Sequence, residues 1–399
     1  MMTLRDNNKV SLWGLAVALF AFLVPLEGYL STSAGSILKF YTMGCILFAV
    51  YRVFATRKNN KLHLCVPLLI VFLAFTGLSV LWSEYMTRGV DVYFAILLQV
   101  VFIIVCSVMI YSKRDVEIIM FAYICGSIIL AMILLLTVSP EEVEQGRHSV
   151  TSSSGKAFDP NNIGALLVGG FALTINFPVR KKLFLVIKAI AIAIFVYSVF
   201  YTASRGAFLA TILVTVYTII QQKGKKKIGF LILALLIGLL LVVGSTYIPN
   251  NPLEYVFYRF ETDDTGSNRT YLWEIALQCI AEKPFFGFGL GESAHVISKR
   301  STESLGSHNT YITIAFEAGL FALLSLIIAI GLLWSKKRRG FYLDNGAFAM
   351  LLSGLFTSFF FDTYNKKIMW FPMLLCVIST TVRGHSKSRE HNYSRSESE

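Results

Sequence analysis

Two arginines and one histidine carry the chemistry that this sequence is equipped to do. Arg205 lies in Thr202-Ala-Ser-Arg-Gly206, between two apolar runs. An arginine close to hydrocarbon is costly unless it pairs or binds an anion. The plainer alternative is a snorkelling side chain with its head among lipid phosphates. Arg269 heads a stretch of helical periodicity, where the helix dipole disfavours a cation by about 0.3–1 kcal/mol. A bound anion reverses that sign, because backbone N–H groups and a guanidinium together make a phosphate site. A surface arginine reaching water is the alternative. His308, in Ser307-His-Asn-Thr-Tyr311, stands where a loop enters an apolar run. Histidine takes a proton from a hydroxyl at neutral pH, and ordinary interfacial packing is its alternative role.

Other polar residues fall around these three. Asn309 would orient the imidazole or hydrogen-bond a sugar. Asp159-Pro160-Asn161-Asn162 suits the start of a helix, and Asn161 is also a candidate contact to a polar substrate. Arg147 precedes it in the same loop and would meet phosphate. Arg259 and Trp273, in the next long loop, complete the candidate substrate contacts. Gly287-Phe-Gly-Leu-Gly291 lacks dinucleotide-loop spacing and follows no strand, so it reads as a flexible turn. The pair Asp263-Asp264 reads as solvated. There is no Walker sequence, no Ser-His-Asp series, no CxxC and no metal-ligand spacing. Neither a cofactor nor a metal is expected. Of the six cysteines only Cys279 falls clearly in the loop read as external, so no disulfide framework is implied.

The elements that must position these residues are membrane helices. The chain has 399 residues, 55% of them hydrophobic and only 15% charged, against about 25% charged in a soluble domain. The charges sit in short clusters between long apolar runs, which is how repeated bilayer spans read. Without water in the hydrocarbon each run must satisfy its own backbone, and these runs are too long and continuous for barrel strands. The expected fold is an all-α integral membrane protein of about twelve transmembrane helices. The spans fall near 11–31, 35–54, 64–82, 92–111, 116–137, 161–178, 183–203, 206–221, 228–248, 309–334, 344–361 and 368–382. No small-residue cleavage site follows the first run, so it is expected to be retained.

Charge fixes the orientation. Alternate connections are basic, from Arg52/Arg57/Lys58/Lys61 to Lys336/Lys337/Arg338/Arg339, and together with both ends of the chain they hold 23 of the 36 Lys+Arg but 7 of the 24 Asp+Glu. That pattern puts both termini in the cytoplasm. The net charge of +12 is therefore a topology signal, and nucleic acid is excluded as a partner. The chain reads as one polytopic domain over 1–399, with a disordered cytoplasmic tail at 384–399 and a long extracytoplasmic loop at 249–307. Within that loop Arg269 to Glu282 is expected to be an amphipathic helix. Leu272, Ile275, Ala276, Cys279 and Ile280 line one face, Ser267 or Asn268 would cap it, and Pro284 and Gly287 end it. The apolar stripe would lie on the bilayer surface or against the bundle. Apart from Lys188 and Glu27 the span centres are nearly free of charge.

Arg205, Arg269 and His308 would thus share one membrane face. Two arginines there fit a lipid-linked diphosphate, and a histidine fits deprotonation of an acceptor hydroxyl. The lipid diphosphate is its own leaving group, and arginines in place of a metal would stabilise the charge it develops. That is the chemistry of glycosyl transfer from a lipid-diphosphate carrier. A polysaccharide transporter or flippase is the alternative of another class; it would place charge deep within the spans.

These motifs, in this order, resemble the O-antigen ligase and O-antigen polymerase superfamily. The resemblance rests on Ser204-Arg205-Gly206, Asn268-Arg269-Thr-Tyr-Leu-Trp273, Lys283-Pro284-Phe-Phe-Gly287-Phe-Gly289-Leu-Gly291, Ser307-His308-Asn309-Thr-Tyr311 and Glu317-Ala-Gly319-Leu320, with Asp159-Pro160-Asn161 ahead of them. It covers roughly residues 145–335, and the first four spans carry no matching motif. It implies a GT-C-like glycosyltransferase bundle in the bacterial cytoplasmic (inner) membrane, acting without metal or nucleotide on undecaprenyl-diphosphate-linked glycan. It further implies that Arg205 and Arg269 hold the diphosphate and that His308 is the base. The acceptor divides the family: lipid A–core for a ligase, another lipid-linked repeat unit for a polymerase, a serine for a protein-glycosylating variant. The moderate length and the lack of an appended C-terminal domain incline the expectation to a ligase. Its partners would be the lipid-linked donor, a glycolipid or glycan acceptor, and membrane lipids.

Overall fold

Apolar runs become helices almost wherever the hydropathy pattern places them. The computed structural model describes residues 9–31, 36–56, 61–137, 150–151, 157–179, 181–222, 229, 256–257, 269–301, 306–338 and 340–382. Its helices are α1 (Leu12–Leu23), α2 (Ile37–Thr56), α3 (Val66–Ser79), α4 (Met86–Val108), α5 (Lys113–Thr137), α6 (Pro160–Asn176), α7 (Lys182–Tyr201) and α8 (Arg205–Gln221). After them come α9 (Arg269–Glu282), α10 (Ser293–Arg300), α11 (Thr310–Ser335), α12 (Tyr342–Thr357) and α13 (Lys367–Thr381). The expectation of a purely helical chain needs one amendment. Strands β1 (Val150–Thr151) and β2 (Ala157–Phe158) form a short antiparallel ladder just before α6.

Helices stand at eleven of the twelve expected spans; the span at 228–248, residue 229 apart, and the tail at 384–399 lie outside the described residues. By length and composition, five of the described helices suffice to cross a membrane: α2 (as Ile37–Ala55), α4, α5, α7 and α11. The apolar helices α1, α3, α8 and α13 are shorter. Helix α6 is buried from Asn162 to Asn176, enclosed by α5, α7, α8 and α12. A helix with protein on every side has no polar face, which is why it reads apolar all round. The outer helices instead turn large apolar side chains outward: Leu47, Phe54 and Leu136 are 70%, 78% and 75% exposed. A surface of that kind is solvated by a bilayer, not by water.

The two charges expected near span centres are both engaged. Lys188 of α7 donates to the carbonyls of Ile175 (2.9 Å) and Phe177 (2.8 Å), which the end of α6 leaves open. Glu27, beyond α1, pairs with Lys367 at the start of α13 (2.5 Å) and accepts from Ser36. Both tie helices together.

Helix α11 is broken, and the break organises the site. Gly319 has φ 84° and ψ 171° inside it, a conformation essentially reserved for glycine. The break opens helical hydrogen bonds, and the turn after α9 closes them. Phe288 N–H donates to the Phe316 carbonyl (2.8 Å), Gly289 N–H to the Glu317 carbonyl (3.0 Å), and Leu320 N–H to the Pro284 carbonyl (2.8 Å). The glycine-rich turn is therefore not flexible, as its composition suggested. Gly287, Gly289 and Gly291 take positive φ to lie flat against α11 and the Ser79–Ser83 corner. Helix α9 runs from Arg269 to Glu282, and its buried residues are the five expected. They pack against Ile297, Ala315 and Phe316, so the amphipathic stripe faces the bundle.

Candidate functional site

Helix N-termini gather at one end of the bundle, laced together by short polar contacts. Asp159 caps α6, accepting from Asn161 N–H at 2.9 Å. Ser204 caps α8, and its hydroxyl also donates to Asn161 Oδ1 at 2.9 Å. Lys366, just before α13, donates to Asn162 Oδ1 at 3.1 Å. Asn309 caps α11, its Oδ1 accepting from Tyr311 N–H (3.0 Å) and Ile312 N–H (3.2 Å). Thr310 then fastens the start of α11 to the turn before α13: its N–H reaches the Ser358 carbonyl, its hydroxyl the Phe361 carbonyl. Each such N-terminus presents backbone donors and a partial positive charge.

His308 sits within this cluster, half-buried, at φ 49°. Ala203, two residues before Arg205, has φ 48°, and these are the two non-glycine residues with positive φ among those described. Such strain costs of order 1–3 kcal/mol and persists where surrounding structure enforces it. Burial holds the His308 imidazole below its ordinary pKa. The carboxylates of Asp362 and Asp159 act in the opposite sense, and the positive charges of Arg269 and Lys366 reinforce the burial. The outcome is a neutral imidazole at neutral pH, the form able to accept a proton.

Asp362 is the strongest charge acting on that histidine. Thr313 fixes it by donating to Oδ1 at 2.6 Å. Burial raises its carboxyl pKa, opposed by Thr313, His308 and Lys366. A carboxylate so placed would stabilise an imidazolium at His308. Asp362→Asn is expected to lower kcat at least about tenfold, a part of the roughly hundredfold to ten-thousandfold that a general base contributes. It also removes a charge that favours protonated His308, so the acid limb of the kcat/KM profile should move to lower pH. A lowered rate with an unmoved acid limb would show that Asp362 serves only the fold.

The sequence-derived residues divide into three groups. Arg269 is the first residue of α9, and its charge reaches His308. Arg205 is the first residue of α8, on the same rim, with the neighbouring Gly206 against Phe360; it is not among the charges acting on His308. Asn161, Asn309 and Trp273, expected as substrate contacts, each have one polar atom engaged in the frame. Asn161 Oδ1 holds Ser204, Asn309 Oδ1 caps α11, and the Trp273 indole N–H donates to the Ser307 carbonyl at 2.8 Å. That last bond ties α9 to the residue before His308. Arg147, Arg259, and the cap candidates Ser267 and Asn268 lie outside the described residues.

With this geometry in place, residues 189–327 match a family model described as O-antigen ligase. An O-antigen ligase of Salmonella typhimurium (strain LT2) is 31% identical over 164 residues, which is 38% of this chain. The chain spans 40% of that relative's length. The family segment holds Arg205, Arg269, Trp273, His308 and the Glu317–Gly319 break.

Sequence reasoning missed what lies beyond residues 189–327. Asp362, Tyr364 and Lys366 come from the short connection between α12 and α13. Tyr364 donates to Glu317 Oε2 at 2.8 Å, and the Ser293 N–H donates to Oε1 at 3.1 Å. Buried Glu317 thereby joins the start of α10 to this connection. One signal was present: an acid and two lysines within six residues at the end where an active face was expected. Its weakness is that charge in a short loop also reads as ordinary solvation.

Proposed function

We propose that this protein is an O-antigen ligase of the bacterial inner membrane. It moves a glycan from undecaprenyl diphosphate to a hydroxyl of lipid A–core on the extracytoplasmic face. What supports this reading is that the charges of Arg269 and Asp362 both act on His308, at an end of the bundle where several helix N-termini meet. Arg269 and Arg205, with the backbone donors of those helices, hold the diphosphate. His308 takes the proton of the acceptor hydroxyl as its oxygen bonds to the anomeric carbon of the glycan. The bond from that carbon to the phosphate oxygen breaks, and its electron pair leaves with undecaprenyl diphosphate. The arginines meet the charge that develops there, and Asp362 meets the charge on the imidazole. The family match over residues 189–327 supports this chemistry, and the Salmonella relative supports the ligase over the polymerase.

Deletion of the gene separates the two acceptors. For a ligase, the strain should make lipid A–core without polymer while polymer accumulates on the lipid carrier. Single repeat units joined to core would identify a polymerase and overturn the choice of acceptor. Unchanged glycolipids would overturn the transferase reading itself.

A further inference from the structure

A cavity of about 400 Å³ lies beside the His308 cluster, walled by the end of α1 and by α2, α4, α6 and the start of α13. The volume falls in the range of small-molecule sites, about 300–1,000 Å³. It shares one wall with the site: Asn162 and Lys366, joined by their 3.1 Å hydrogen bond, line it, and the charge of Lys366 acts on His308. Arg269 and Arg205 head helices that do not line it. The cavity therefore approaches the base from the Lys366 side.

Gln99 marks what the cavity takes. It lies in α4, a helix long and apolar enough to span a membrane, and it is only 7% exposed. Its amide lines the cavity and has no hydrogen-bond partner among the described residues. An amide that opens onto the cavity with no partner among the described residues is left to meet a ligand, and polar groups inside a membrane usually serve a ligand path. Near it Asn162 and Asn365 add further amides, Phe158 offers a ring, and the Glu27–Lys367 pair lies at the wall. Lys367 neutralises Glu27, while Lys39 and Lys366 leave the wall net positive, and a bare polyprenyl chain would leave Gln99 unsatisfied. Amides beside an aromatic ring suit a hydroxyl-rich sugar.

The geometry points to this cavity as the subsite for the acceptor sugar, with Gln99 hydrogen-bonding its hydroxyls and the Asn162–Lys366 bridge passing the reactive hydroxyl to His308. The assignment rests on the proposed glycan transfer. Under it the helices that carry no family motif, α1, α2 and α4, choose the acceptor.

The test uses the full chain in lipid nanodiscs, with lipid-diphosphate-linked glycan as donor and lipid A–core from the deletion strain as acceptor. Gln99→Leu is expected to raise the acceptor KM at least tenfold while kcat and the donor KM stay within twofold. Its thermal midpoint should equal or exceed that of the parent, since an unpartnered amide is removed. Asn365→Ala, at the rim, should raise the acceptor KM at least threefold. An acceptor KM unchanged in both variants would overturn the subsite, as would a rise in the donor KM instead. Direct titration with core oligosaccharide freed from lipid A separates this from failure of the parent reading. If the parent transfers no glycan, the transferase proposal falls, and tenfold weaker oligosaccharide binding by Gln99→Leu still upholds the cavity. Absence of oligosaccharide binding by the parent overturns it.

Discussion

His308→Ala should reduce glycan transfer by about a hundredfold to ten-thousandfold, the contribution of a positioned general base. The loss should fall on kcat, with the donor KM little changed, because the imidazole acts on the acceptor proton and not on the diphosphate. Alanine at φ 49° is itself strained, and a fold defect would mimic a chemical one. His308→Asn removes that ambiguity: asparagine tolerates the left-handed region better than most residues but is no base at neutral pH. Both variants should lose activity alike while the asparagine form keeps the parent's thermal midpoint. Transfer by His308→Asn within threefold of the parent would remove histidine from the mechanism. Asp362 and Arg269 would then be a charge pair around a structural ring.

Gly319→Ala should be among the most destabilising single methyl groups this chain could receive. A Cβ on Gly319 would lie 2.0 Å from the Phe285 carbonyl oxygen and 2.7 Å from the Phe286 nitrogen. Both neighbours are backbone, in the turn whose hydrogen bonds close the helix break. The strain of a positive φ near 84° with extended ψ adds about 1–3 kcal/mol, and overpacking adds about 1–3 kcal/mol more. Against a total stability of about 5–15 kcal/mol that is a large fraction. The expected result is several-fold less protein in the membrane and a thermal midpoint lower by about 10 °C. Gly331→Ala in the same helix is the control, because no atom of the described residues lies within 4 Å of its added Cβ. It should be neutral or slightly stabilising, by about 0.5–1 kcal/mol. Equal midpoints for the two variants would mean that the break is not a rigid part of the fold.

The contrast between Gly319 and Gly331 shows how the sequence informs and where it stops. Both are glycines in one apolar run, indistinguishable by hydropathy. Only the neighbouring turn, Pro284 to Gly291, gives the first a reason to break the helix, and that turn is about thirty residues away in the chain. The same applies to the histidine site. The helix at Arg269–Glu282 and its five buried residues were legible because a 3.6-residue period is a local property. The surface they meet was not: the alternatives of bilayer and bundle differ in tertiary packing alone. That Trp273, Asn161 and Asn309 also brace the frame was equally hidden, because a side chain near a site carries no local mark of the bonds it makes across the bundle.

Residue type and short-range spacing suffice for the helix positions, and they are the source of the anion-binding role proposed for Arg205 and Arg269 and the basic role proposed for His308. Which groups surround that histidine is a matter of packing. Folding brings Asp362 and Lys366 from beyond the family segment and sets Arg269 closer in its influence than Arg205. It also places Gln99, from a motif-free helix, in a cavity adjoining the same site. Those choices depend on which helix ends meet, and that is set by burial and by the repair of open backbone hydrogen bonds across the bundle.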